Sequence, residues 1–159
     1  MKNMNRLVVA ILLGAAAAAS MAVVRVSATR TGTWSSASAP ALVPLNVNGA
    51  TTIAFNSAAA GRRVLTYSAE CSVDAPASNN FAWLDLDVIV NGTVVPPTVG
   101  TSDAFCSADG VAGFGGYTRS SITVVISVVE GTNRIRIQAR GNAGATGVWL
   151  GDSALVVHD

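Results

Sequence analysis

The residues that could do chemistry in this chain are few. His158 is the only histidine, close to the C-terminal end of the sequence, and a Ser-His-Asp or Cys-His arrangement needs a base that is held in position. The two cysteines, Cys71 and Cys106, are too widely spaced for a redox pair of the C-x-x-C type, so they are expected to form a structural disulfide. A zinc site needs three or four His, Cys or carboxylate ligands, and with the cysteines joined to each other the set is short. No phosphate-binding or dinucleotide-binding glycine loop is present. The expectation is a protein with no cofactor and no bound metal, whose only route to catalysis would run through carboxylates, and therefore a non-enzyme.

The carboxylates worth weighing are Asp85 and Asp87, with Trp83 just before them. Alternate residues of a strand share a face about 7 Å apart. That separation suits an acid and base pair of glycosidase type, or an oxygen-ligand calcium site to which Asp103 and Asp109 could add. The plainer alternative is a solvated strand face. Arg134, Arg136 and Arg140 form a second cluster on alternate positions. Guanidinium forks pair with carboxylate or sulfate, so the stripe is a candidate for binding an anion or an acidic glycan. The alternative is a strand kept from edge pairing by its charge, or paired across to Asp85 and Asp87. Trp83 and Trp149, with Tyr117, are candidates for stacking on sugar rings, against the alternative of core or rim packing.

These residues must be positioned by strands. Apolar residues alternate at Leu65, Tyr67, Ala69, Cys71 and Val73, at Ala82, Leu84, Leu86, Val88 and Val90, and again at Ile122, Val124, Ile126 and Val128. Ile135, Ile137 and Ala139 continue the pattern. Period-two alternation of this kind predicts antiparallel sheets with one face buried, and no window after the N-terminal segment shows a helical stripe. Asn91-Gly92 predicts a type I′ hairpin, and Glu130-Gly131-Thr132-Asn133 a second hairpin loop. The fold expected is all-β: an antiparallel, jelly-roll-like β-sandwich stapled by one disulfide. Closing so long a loop would stabilise the fold by at most ~4 kcal/mol.

The N-terminal segment carries the marks of a secretory signal: Lys2 and Arg6, the apolar run Leu7 to Ala19, then small residues suited to a peptidase. Ser20-Met21-Ala22 and Val26-Ser27-Ala28 are both acceptable cleavage patterns, and an uncleaved anchor is the third reading. The favoured division is a signal over 1–28, a flexible Thr-, Ser- and Ala-rich linker over 29–40 and a sandwich domain over 41–159. Loss of Lys2, Arg6 and Arg25 would leave seven arginines against nine acids, with no lysine. Such a balance gives no general attraction for nucleic acid, and no membrane association is expected once the signal is removed. The location expected is secreted or in the cell envelope.

The strand Ile53-Ala54-Phe55-Asn56, the run Val64 to Val73, the strand Asn133-Arg134-Ile135-Arg136-Ile137 and the closing Val148-Trp149-Leu150 and Ala154-Leu155-Val156-Val157 resemble the jelly-roll modules of the C1q and tumour-necrosis-factor type. That resemblance implies a module of a secreted bacterial or phage protein, a homo-oligomer in the form of a trimer, and a role in binding or adhesion. The functional expectation is an exported, non-catalytic module for surface presentation, adhesion or self-assembly. The alternatives are a carbohydrate-binding module, with a glycan or envelope component as partner, and a calcium-dependent binding domain.

Overall fold

The computed structural model describes residues 23–77, 81–98, 103–112 and 116–159. Residues 1–22, which carry most of the expected signal and its Ala22 cleavage pattern, lie outside the described residues. All the regular structure described is β-strand, arranged as two antiparallel sheets.

Sheet A has the order β1 (Val24–Arg30), β11 (Gly147–His158), β5 (Gly61–Asp74), β9 (Thr118–Val128), with β2 (Trp34–Ser36) also on β11. Sheet B has the order β3 (Ala41–Leu42), β10 (Gly131–Asn142), β6 (Trp83–Val90), β7 (Thr93–Val94). In sheet B, β4 (Ile53–Ser57) also pairs with β10, and β8 (Ala104–Ser107) with β6.

The core lies between the sheets and is built by the alternation read from the sequence. Leu65, Tyr67, Cys71, Val124, Ile126, Leu150 and Leu155 of sheet A and Leu84, Leu86, Val88, Ile135 and Ile137 of sheet B are buried in one cluster. Removing this apolar surface from water is the main force holding the layers together. Cys71 of β5 and Cys106 of β8 are joined with their Cα atoms 6.5 Å apart, so the disulfide ties one sheet to the other.

The turns follow their residue types. Asn91 and Gly92 both take positive φ, 52° and 88°, as a type I′ hairpin demands. Asn133 is fully buried and holds this hairpin to the next one. Its Oδ1 accepts from Asn91 Nδ2 and from the Val129 amide, and its Nδ2 donates to the carbonyls of Val129 and Gly131.

The expectation of a flexible linker over 29–40 is corrected. Strand β1 runs through Arg30, and β2 pairs Trp34, Ser35 and Ser36 with Leu150, Trp149 and Val148. Composition alone suggested loose chain, but Val26 and Trp34 pack against the core and Arg30 is 6% exposed. The Arg30 guanidinium donates to the carbonyls of Leu150 and Gly151, where β11 bulges between Leu150 and Ser153. A bulge leaves backbone carbonyls outside the ladder, and a buried arginine satisfies them here.

Candidate binding face

The outer face of sheet B is written by one register. Strands β10 and β6 set Arg136 opposite Ile89, Gln138 opposite Asp87, Arg140 opposite Asp85 and Asn142 opposite Trp83. All these side chains point away from the core, because their neighbours Leu84, Leu86, Val88, Ile137 and Ala139 fill it.

The face has a closed half and an open half. In the closed half Arg140 Nη2 lies 3.0 Å from Asp85 Oδ2 and 3.7 Å from Asp87 Oδ2. Asp85 is 1% exposed and Asp87 is buried, so the expectation of a solvated acidic face is corrected. The physical reason is position: β6 has β10 on one side and β7 and β8 on the other, and the long Arg140 side chain reaches across to its carboxylates. Burial, helped by the charge of Asp85, raises the Asp87 pKa above the ordinary carboxylate value; Arg140 opposes the shift and Asp103 adds to it. Beside the pair, the Trp83 indole nitrogen, Asp85 Oδ1 and Asn142 Nδ2 are buried and have no hydrogen-bond partner among the described residues.

This arrangement does not suit the chemistry that the two acids suggested. Both carboxylates lie within ion-pair distance of one guanidinium, that of Arg140, rather than facing solvent. Among the described residues no group of three or more His, Cys, Asp or Glu could hold a metal ion.

In the open half, Arg134 and Arg136 are exposed and have no carboxylate within ion-pair distance among the described residues. Arg136 Nε donates to Thr52 Oγ1 at 3.2 Å. The Arg134 backbone amide donates to Asn91 Oδ1 at 2.9 Å, which fixes the strand at the hairpin. The two guanidinium side chains, with Ile89, Asn91 and Gly92, line a shallow depression of about 450 Å³. The arginine stripe therefore divides: Arg140 serves the acids, while Arg134 and Arg136 face solvent.

Trp83 and Trp149 do not come together. Trp83 is half-buried on the outer face of sheet B, whereas Trp149, between the buried Val148 and Leu150, lies on the outer face of sheet A. The Trp149 ring is folded over Gly147, where an added Cβ would come within 2.8 Å of it. Tyr117 is also near sheet A, its hydroxyl 3.0 Å from Thr33 Oγ1. A single sugar platform built from both tryptophans is thus ruled out by the sandwich itself. Sequence reasoning missed Thr52 and Asn91 as neighbours of the arginines, since only the ladders of β4 and β6 with β10 bring them there.

No family model matches the chain, and no curated protein does. Among solved structures, the chain is similar to the native structure of a family 35 carbohydrate binding module from Clostridium thermocellum. The identity is 14% and the TM-score 0.39, with 82% of this chain and 97% of that chain covered. None of these findings points to the C1q and tumour-necrosis-factor group in particular.

Proposed function

We propose that this chain is an exported, non-catalytic β-sandwich module that binds an acidic glycan or envelope polymer on the open half of sheet B. The carrying observation is the exposed pair Arg134 and Arg136, with no carboxylate at ion-pair distance among the described residues, beside a depression lined in part by Ile89. Two guanidinium groups on alternate positions of one strand offer paired donors to uronate or sulfate groups, and Ile89 gives an apolar surface for a ring. A disulfide between the sheets accords with an oxidising compartment, secreted or in the envelope.

The test is affinity electrophoresis in polygalacturonate against a neutral polysaccharide. The wild-type protein is expected to be retarded in the acidic gel only, with retardation weakening as salt screens the arginines. The Arg134→Gln/Arg136→Gln variant should run unretarded. Equal migration in both gels at low salt would sink the proposal.

A second reading, a neutral sugar at Trp83, draws on the half-buried Trp83 ring on the outer face of sheet B. Retardation in the neutral gel that Trp83→Ala abolishes would favour it.

A further inference from the structure

A strand at the edge of a sheet exposes a row of backbone donors and acceptors that invites another strand, and proteins usually blunt it. Most edges here are blunted. The β1 ladder is interrupted between Val24 and Val26 and carries Arg25 and Arg30. Strand β3 has two residues between Pro40 and Pro44, and β7 has two residues followed by Pro96 and Pro97. Strand β8 has four residues and an irregular register with β6.

Strand β9 has none of these devices. It runs eleven residues, from Thr118 to Val128, in unbroken register with β5, and among the described residues it pairs with no other strand. It contains no proline, glycine or lysine, and its single charge, Arg119, is paired with Glu70 at 3.1 Å. Its outward residues Ser121, Thr123, Val125 and Ser127 are neutral and exposed. Val125 is 49% exposed, and Val129 just beyond the strand is 53% exposed. Beside this edge lies a groove of about 440 Å³ lined by apolar residues such as Val94, Pro96 and Val125 and by polar ones that include Arg62 and Ser127.

We infer that β9 is the docking edge for a second copy of this chain, with the two β9 strands antiparallel about a two-fold axis through Val125. In that register Val125 packs on its own counterpart, Thr123 meets Ser127 and Ser121 meets Val129. No like charges are opposed, and both exposed valines are covered, as a self-complementary strand pair requires. An isologous contact of this kind closes at two copies, so the assembly is a dimer rather than the trimer of the resembled family.

Light scattering on the mature protein tests this. Wild type is expected to have twice the monomer mass. Val125→Lys and Val125→Glu each set like charges face to face and should be monomeric, with circular dichroism unchanged because the side chain is exposed. An equimolar mixture of the two variants should regain the double mass. A monomeric or trimeric wild type, a Val125→Lys protein that remains dimeric, or a mixture that stays monomeric would overturn the inference. So would capture of an extended peptide by a wild type that does not self-associate. Retardation by polygalacturonate, which depends on the other sheet, should persist in the monomeric variants, so failure of one proposal is separable from failure of the other.

Discussion

Asp85 is almost wholly buried, and the ion pair that it makes with Arg140 is the fixed point of the outer face of sheet B. Breaking such a pair from one side strands a charge in a poorly solvated place. Arg140→Ala is therefore expected to lower stability by about 3 kcal/mol in urea denaturation, and replacing both residues with leucine should recover much of that loss. A loss near zero in the single variant would mean that Asp85 is far better hydrated than its burial indicates. Asp87 gives a pH signature. Its folded pKa is raised, so its ionisation weakens the fold as pH climbs through the carboxylate range, and that penalty vanishes once both states are protonated. Asp87→Asn should accordingly melt above wild type at about pH 7 and converge with it near about pH 3. A constant offset across that range would remove the electrostatic explanation. The types and spacing of these acids were legible in the sequence; that one arginine holds both was open there as an alternative to solvation, because only the ladder decides which cations lie across.

Strands with strict alternation declared themselves, and the irregular pieces did not. The buried faces of β5, β6, β9 and β10 match the apolar positions in the sequence because a residue's side of a sheet depends only on its parity along the strand. Strands β1 and β2 were hidden because serine, threonine and alanine say little about burial, and because the buried residue that ends β1 is an arginine. The role of Arg30 depends on a bulge in a strand far away in sequence, which no local pattern encodes. Asn133 is the corresponding case among the turns. Its position at the end of a hairpin loop was visible, while its link to the Asn91 hairpin was not. Asn133→Ala should cost about 2 kcal/mol, since it empties a fully buried site and removes the part-buried hydrogen bonds that close the Val129–Gly131 turn. The check is denaturant unfolding beside the exposed control Asn56→Ala, which is expected to be nearly silent.

At the scale of the whole molecule the two sheets have separate outward faces, and the proposed ligand and the proposed copy each take a different sheet. The N-terminal strand belongs to this same frame. Thr29, Ala28, Ser27 and Val26 pair with Ala154, Leu155, Val156 and Val157, and Asp159 donates its amide to the Val23 carbonyl while its carboxylate meets Arg25 and Arg63. Cleavage after Ala28 would remove most of β1 and leave that side of β11 exposed, with its backbone groups unpaired. Cleavage after Ala22 would keep the whole strand and still satisfy the small-residue pattern Ser20-Met21-Ala22. With the export proposed above, the mature protein is therefore expected to begin at Val23. N-terminal sequencing or intact mass of secreted material decides this directly, and a first residue of Thr29 would overturn it. A version made to start at Thr29 should melt well below one starting at Val23, because the strand it lacks contributes both ladder hydrogen bonds and the clasp on Asp159.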